Sequence, residues 1–426
     1  MKLCVYEDEG VNFLEPICLT RPAFALRCGA GTLLDRQRRL FDQPETGAWI
    51  RPELVDFARL GFPNLPLNDR AWLRSGPKVL ANARWLAPLD RMTDLETPRV
   101  GMIGDQIAYV VAPSFEWADL ADGVDAVLSH CREKLPTCSA GGRMIDFLWD
   151  AVDHNGEALC EDSADFRKEN AVVETLPANI TILGEVEDLI LVEGASVEPF
   201  VTFDTRHGPI YVDRGAVIHS FSRVEGPCYI GKDNVILGAK IRAGTTLGPN
   251  CRIGGEVEAS IVQGHSNKYH EGFLGHSYLG EWVNLAAATQ TSDLRNDYGV
   301  VRLTVNGQRL STGRSKIGSY IGDHTKSGLG ALLNTGSVIG AFCNLLPSGT
   351  LLPQVIPSFC QVQYGQVSER HDMRQMFATA ATAMQRRRVE FSDPHRDFFD
   401  HLYETTSAYR RRTIREADAR RMKRKA

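Results

Sequence analysis

The chain has 426 residues, 43% of them apolar, and 48 Lys and Arg against 53 Asp and Glu give a formal charge of -5. That length exceeds what one hydrophobic core usually sustains, so two or three folded units are expected. The charge balance gives no general reason for a nucleic-acid partner, and no apolar run approaches the roughly 20 residues that span a bilayer, so no membrane role is expected. Ten cysteines lack close regular spacing, and the N-terminus, MKLCVYEDEG, turns acidic where a signal peptide would be apolar. Together these point to a reducing cytoplasm.

The first block, Met1 to about Asn179, mixes strand and helix signals. VGMIGDQIAYVVA alternates apolar residues on both sides of Gly104-Asp105, which predicts a hairpin. His130, Cys131 and Cys138 lie close together without the paired short spacing of a zinc site, so the cysteines are taken as ordinary semi-buried thiols. RMIDFLWDAV puts Ile145, Leu148, Trp149 and Val152 on one helical stripe that should pack on a sheet. The block is therefore predicted to be an α/β unit.

From about Ile180 to Gln366 aliphatic residues recur every six positions. Val235, Ile241, Leu247 and Ile253 form one series; Ile321, Ser327, Leu333, Ile339, Leu345 and Leu351 form another, with Gly322, Gly328 and Gly340 one place later. Neither the 3.6-residue period of a helix nor the two-residue period of a strand produces this. A parallel β-solenoid of hexapeptides does, with three short strands per coil and one side chain of each repeat pointing inward. The register is lost between Thr289 and Ile317. There Val301, Leu303 and Val305 alternate before Asn306-Gly307, which predicts a β-arm at about 290–316 that reaches a neighbouring subunit or folds over a ligand.

The third block, 367–426, is predicted helical. Met373, Met376, Phe377, Ala380, Ala381 and Met384 form one amphipathic face. Ser392-Asp393-Pro394 opens a second helix with Phe399, Leu402 and Tyr403 on one side. The end, YRRRTIREADARRMKRKA, is basic and reads as a solvated tail.

One segment of the solenoid carries chemistry: QGHSNKYHEGFLGHSYLGEWVNLAAAT, Gln263 to Thr289. Hexapeptide coils have few convergent polar side chains, and a well-known use of this context is acyl transfer from a thioester. That reaction needs a base for the attacking amine or hydroxyl and a donor for the oxyanion, and imidazole suits the first task. His265, His276 and His324 are read as solvated or hydrogen-bonded corner residues.

From Arg242 through Gly340 the sequence resembles the acetyltransferase domain of the bifunctional GlmU family, which acetylates glucosamine 1-phosphate and then uridylylates the product. RAGTTL is similar to that family's phosphate-binding turn, which implies a phosphate role for Arg242. His270, five residues before Gly275, stands where the family keeps its catalytic base. Asn284 in EWVNLAAAT matches a substrate-contacting asparagine, while IGDHTKSGLGALLNTGSVIG follows the coenzyme-binding coils in glycine register. The pattern also departs. A family lysine falls at Ser260, with Lys268 nearby, and a tyrosine is Phe273. The Asn-Tyr-Asp-Gly turn appears as Asn296 to Gly299 after an insertion, and Arg302 stands where another lysine would be, so an altered acceptor is implied.

Over its whole length the chain resembles the GlmU-like sugar nucleotidyltransferase family through CLTRPAFALRCG, ANARWLAPL, GHSYLGEWVNL and IGDHTKSG. This implies a nucleotidyltransferase-like N-terminal domain, a left-handed parallel β-helix, a homotrimer, acetyl-CoA or another acyl-CoA as cofactor, and a sugar phosphate as substrate. It also implies UTP or another nucleoside triphosphate with Mg2+ if the first domain is active. Among early residues, Arg21 of LTRP and the glycines Gly29 and Gly31 of CGAGTLLDR are the candidate nucleotide contacts; the glycine turn arrives late and lacks the family's Arg-Met. Two other readings stay open: nucleotidyl transfer alone with the solenoid as an oligomerisation or regulatory module, and a non-catalytic scaffold. Asn284 equally fits a coil-stabilising role.

Overall fold

The computed structural model describes residues 2–74, 79–112, 124–347 and 349–425, with the side chains of 74 and 420–425 left out. Two compact units emerge. One comprises 1–14, 20–26 and 31–147; the other comprises 15–19, 27–30 and 148–426. The boundary expected near Asn179 thus falls at Phe147/Leu148.

The first unit is built on a six-stranded mixed sheet in the order Glu45–Trp49, Lys2–Tyr6, Val79–Asn82, Gln106–Val111, Arg99–Ile103, Thr137–Ser139. The first three strands are parallel, and the next two form the predicted hairpin around Gly104, at φ 60°. Leu3 to Tyr6 are all buried, as a central parallel strand covered on both faces requires. Cys131 is buried on the helix Val124–Lys134, whereas Cys138 is exposed in the edge strand.

The second unit is the parallel β-solenoid. One of its sheets stacks nine strands in a single row from Leu189–Leu191 to Val355–Ile356. Ile210 pairs with Cys228, and Cys228 with Thr245, so one coil consumes 18 or 17 residues, close to three hexapeptides. The inward side chains make one continuous core that includes Ile241, Leu247, Ile253, Ile321, Leu333, Ile339 and Leu345. Two ends of the predicted series are off by one: Ile236 rather than Val235 points inward, and Leu352 is buried while Leu351 is exposed. In both cases a corner shortens or lengthens the hexad by one residue.

The stripe read from RMIDFLWDAV begins later than expected. Met144 lies in a short strand, and the helix runs Leu148–Glu169 within the second unit, packing on solenoid strands. Its Phe166 ring meets Tyr211 and Tyr229 edge-on at 4.9 and 5.8 Å, and the Tyr211 hydroxyl donates to the Leu159 carbonyl.

The coil register persists through Gln290–Thr291, which pairs with Leu332–Leu333, before the arm departs. Arg302–Val305 and Gln308–Ser311 form the predicted antiparallel hairpin. It packs on its own chain: Val301, Leu303 and Val305 are buried, Gly336 leaves no room for a Cβ beside Val301, and Arg314 pairs with Asp153 at 2.6 Å. Alternation supplied an apolar side, and the solenoid beneath provided the nearest surface to cover it.

The third block contains three helices. Met373–Gln385 is capped by Asp372, whose side chain accepts from Gln375 N, and Met376, Phe377, Ala380 and Met384 are its buried residues. Asp393–Thr405 follows, with Pro394 in its first turn, and Ser407–Lys425 ends the chain. No helix among the described residues is long and apolar enough to cross a membrane. The last helix is not wholly solvated. Arg410 is fully buried, its Nε and Nη2 within 2.8 Å of Glu369, and its guanidinium lies 4.2 Å from the Tyr403 ring centroid. The most basic stretch, 420–426, lies outside the described side chains.

Removing one partner of a buried ion pair leaves the other charge uncompensated. Arg410→Ala should therefore cost about 3 kcal/mol of stability in urea denaturation, whereas Arg411→Ala, its exposed neighbour, should stay within about 0.5 kcal/mol.

Candidate active site

On a second face of the solenoid, strand pairing aligns one outward column. Arg252 is opposite Asn267, Asn267 opposite Asn284, Asn284 opposite Lys326, and Lys326 opposite Asn344. Side chains alternate in and out along a strand, so the next residue of each coil goes into the core: Ile253, Lys268, Leu285, Ser327 and Leu345. The helix Met373–Gln385 and the residues after it lie across this column. Between them is a cleft of about 780 Å³ whose walls include His270, Asn284, Arg252, Lys326, Arg386 and Arg387.

The cleft is electropositive. Its lining includes two arginines after the cover helix and an arginine and a lysine from the coils, with no Asp or Glu among the described lining residues. Arg387 ties the two walls together, its Nη2 donating to Asn267 Oδ1 at 2.8 Å and its Nε to the Asn250 carbonyl at 3.3 Å. Asn267 Nδ2 in turn donates to Asn284 Oδ1 at 3.3 Å, so Asn284 is oriented from the adjacent coil. Burial and the nearby Arg252 and Arg386 hold the Arg387 guanidinium below its usual range. Burial, aided by Arg370, takes Lys326 down to about 8. His270 is exposed at the rim, its ring 5.8 Å from that of Tyr269.

The cleft brings together His270 and Asn284 from the residues singled out in the sequence, and leaves out the other substrate candidates. Lys268 occupies an inward position; its Nζ donates to the carbonyls of Gly254 (2.8 Å) and His270 (3.2 Å), and burial lowers it to about 8. It supports the corner that carries His270 and does not face a ligand. Arg242 is outside the cleft and engaged by carboxylates, at 2.6 Å from Glu258, 3.5 Å from Glu256 and 3.9 Å from Glu225, a setting that repels phosphate. Asn296 is an exposed loop residue, and Arg302 is exposed at the start of the hairpin.

The glycine turn is also occupied. Gly29, at φ 79°, donates its N-H to Asn155 Oδ1, and Ala30 donates to Asp162 Oδ2, both at 2.8 Å, so these amides are taken by a helix of the same unit. Gly31 leads into Thr32, the N-cap of the helix Leu33–Leu40, where Asp35 forms a capping box that puts a negative charge at the amides a phosphate would need. Arg21 is buried in the first unit, and its carbonyl accepts from Arg51 Nη2 at 3.1 Å.

His265, His276 and His324 have structural partners. His265, Trp282, His324, Phe342 and Phe359 occupy successive left-handed corners, with φ between 51° and 61°, and stack as a ladder. His276 Nδ1 lies 2.7 Å from Asp293 Oδ2. Burial would raise the Asp293 carboxyl, but His276 and then Lys316 hold it below the usual range.

At the carboxyl edge of the first unit's parallel strands, Arg84 bridges two acids. Its Nε and Nη2 donate to Asp8, and its Nη1 to Asp146, at 2.7–2.8 Å. Asp8 also accepts from Asn82 and from Gly10 N, and Asp146 from Gln106. With these donors in place the two carboxylates do not fit a divalent cation.

Sequence reasoning missed Arg252, Asn267, Lys326, Arg386 and Arg387. The first three had a signal: each precedes an inward position of the hexad by one residue and therefore faces out.

Geometry and charge define a class: a β-solenoid with an anion-attracting cleft under a C-terminal helix, in a chain that begins with a separate mixed-sheet unit. Residues 3–171 match the family model described as sugar nucleotidyl transferase. A bifunctional sugar-1-phosphate nucleotidylyltransferase/acetyltransferase of Sulfurisphaera tokodaii is 34% identical over 113 residues, 26% of this chain and 28% of that one. Bifunctional GlmU proteins of Methanocaldococcus jannaschii (33% over 107 residues, 25% of this chain, 26% of the relative) and Jannaschia sp. (30% over 157 residues, 34% and 31%) are also similar. These matches span only 26–31% of the relatives' own lengths.

Lys268 makes stability pH-dependent in a stated direction. Its folded value of about 8 lies below the unfolded 10.5, so the unfolded chain binds more protons between them and stability rises with pH across that window. Lys268→Met abolishes this term. The stability advantage of the variant over the parent should therefore fall by ~3 kcal/mol from pH 8 to pH 10.5 in urea denaturation, most of what the 2.5-unit difference gives at about 1.4 kcal/mol per unit.

Proposed function

We propose that the protein is a sugar-nucleotide biosynthesis transferase whose solenoid transfers an acyl group from acetyl-CoA or another acyl-CoA to a sugar phosphate. The observation that carries this reading is the cleft in which His270 and Asn284 share walls with Arg252, Lys326, Arg386 and Arg387 and with no carboxylate among the described lining residues. Both reactants are anionic, so such a lining attracts and orients them. His270, exposed at the rim, takes the proton from the attacking amine or hydroxyl; Asn284, oriented by Asn267 and Arg387, positions the acceptor or the thioester carbonyl. Transfer forms the new amide or ester and releases the thiol of the coenzyme.

The family match of residues 3–171 supports nucleotidyl transfer from UTP or another nucleoside triphosphate as the companion activity of the first unit. Such enzymes use Mg2+ with their triphosphate, and the Arg84-bridged acids are unsuited to it, so this half of the reading rests on the family match alone. A cytoplasmic homotrimer belongs to the same reading.

Two measurements test the proposal. In titration calorimetry both the parent protein and His270→Ala should bind acetyl-CoA, while turnover of amino-sugar phosphates falls 10²- to 10⁴-fold in the variant. An unchanged rate in His270→Ala removes the base assignment, and binding of UTP with Mg2+ but not of acetyl-CoA transfers the function to the first unit. Light scattering at micromolar concentration should give a trimer; a monomer overturns the assembly.

A further inference from the structure

The cover helix also lines a second, smaller chamber of about 210 Å³. Lys326 and Arg370 enter it from different elements, one from a coil strand and the other from just after the strand Gln366–Glu369, and Asn344, Gln375 and Thr379 add neutral polar groups. No Asp or Glu is among the described lining residues. Lys326 spends one N-H on the Trp282 carbonyl, at 3.4 Å, and Arg370 spends one on the Phe342 carbonyl, at 3.0 Å. An ammonium has three donors and a guanidinium five, so each cation keeps donors for the chamber.

Two like charges, each partly buried, face one chamber and repel each other, and Asp372, the acid that acts on Arg370, is not among the described lining residues; Arg410 and Arg84, by contrast, are bound directly to carboxylates, Arg410 to Glu369 and Arg84 to Asp8 and Asp146. Both chamber cations are also held below their usual range, chiefly by burial. We propose that this chamber binds a phosphate-type dianion between Lys326 and Arg370. A tetrahedral oxyanion offers acceptors to both cations at once and to the side-chain amides beside them, and a planar fork such as Arg370 favours oxyanions. Lys326 and Thr379 line both the chamber and the cleft, so the dianion is either free or the terminal group of a ligand lying in the cleft. His270 lines only the cleft, and the proposal stands without the acyl-transfer reading.

Full-length protein titrated with inorganic phosphate against chloride of equal ionic strength provides the test. Saturable binding is expected, weakened about tenfold or more by Arg370→Gln and by Lys326→Gln and unchanged by Arg411→Gln. Phosphate should also raise the melting temperature of the parent and not of Arg370→Gln, which separates loss of the site from loss of the fold. Competition between phosphate and acetyl-CoA, with both weakened in Arg370→Gln, identifies a ligand-borne phosphate. Phosphate binding with acetyl-CoA affinity unaffected by Arg370→Gln identifies a free anion. The proposal is overturned if phosphate does not bind and acetyl-CoA affinity is the same in Arg370→Gln, or if phosphate binds equally to both Gln variants. His270→Ala should bind phosphate like the parent, so failure of the base assignment and failure of this site are read separately.

Discussion

Coil-to-coil backbone pairing is the constraint on which the second unit depends. Neighbouring strands lie about 4.8 Å apart, so residues 15 to 18 apart in the chain become adjacent, as Arg252, Asn267 and Asn284 do in turn, and Asn284 meets Lys326 across the 42 residues that include the arm. The buried aliphatic positions lock that register, because a one-residue slip would turn every inward side chain outward. The column Arg252, Asn267, Asn284, Lys326, Asn344 follows directly from it. A functional face thus comes from residues that no local motif unites.

The corners add a second constraint. His265, Trp282, His324, Phe342 and Phe359 adopt left-handed backbone angles that disfavour bulky side chains by roughly 1–2 kcal/mol each. Their rings stack on the coils above and below, with centroids as close as 4.3 Å for His265 and Trp282, and contacts of this kind offset strain by roughly 0.5–1.5 kcal/mol per pair. The ladder also provides the apolar wall that receives Phe399, edge-on to Phe342 at 4.8 Å and to His324 at 5.5 Å. Packing there helps anchor the C-terminal helices that include the cleft's roof.

Charge is distributed accordingly. Several cations with an architectural place have a carboxylate beside them, Glu369 for Arg410, Glu258 for Arg242, Asp8 and Asp146 for Arg84, while buried Lys268 is held by backbone carbonyls. Beneath the cover helix, neutral side chains and cations line the space instead. Desolvated positive charge of this kind is a standing cost that an anionic ligand offsets.

Much of the architecture was legible in the sequence because its signals are local and periodic. The six-residue recurrence identified the solenoid, Asn306-Gly307 the hairpin, and the apolar faces around Met376 and Phe399 the C-terminal helices. His270 and Asn284 were singled out by motif spacing within one stretch of coils, and the structure puts both in the walls of one cleft. Lys268 and Arg242 were misread for the same reason, since spacing does not report whether a lysine faces the core or whether carboxylates from adjacent coils surround an arginine. Composition and hexad periodicity by themselves determined that this chain forms a coil with an inward aliphatic column. Only the tertiary structure decided which outward residues share a cleft, because Arg387 meets Asn267 across 120 residues of chain, and that meeting depends on where a helix docks rather than on any repeat.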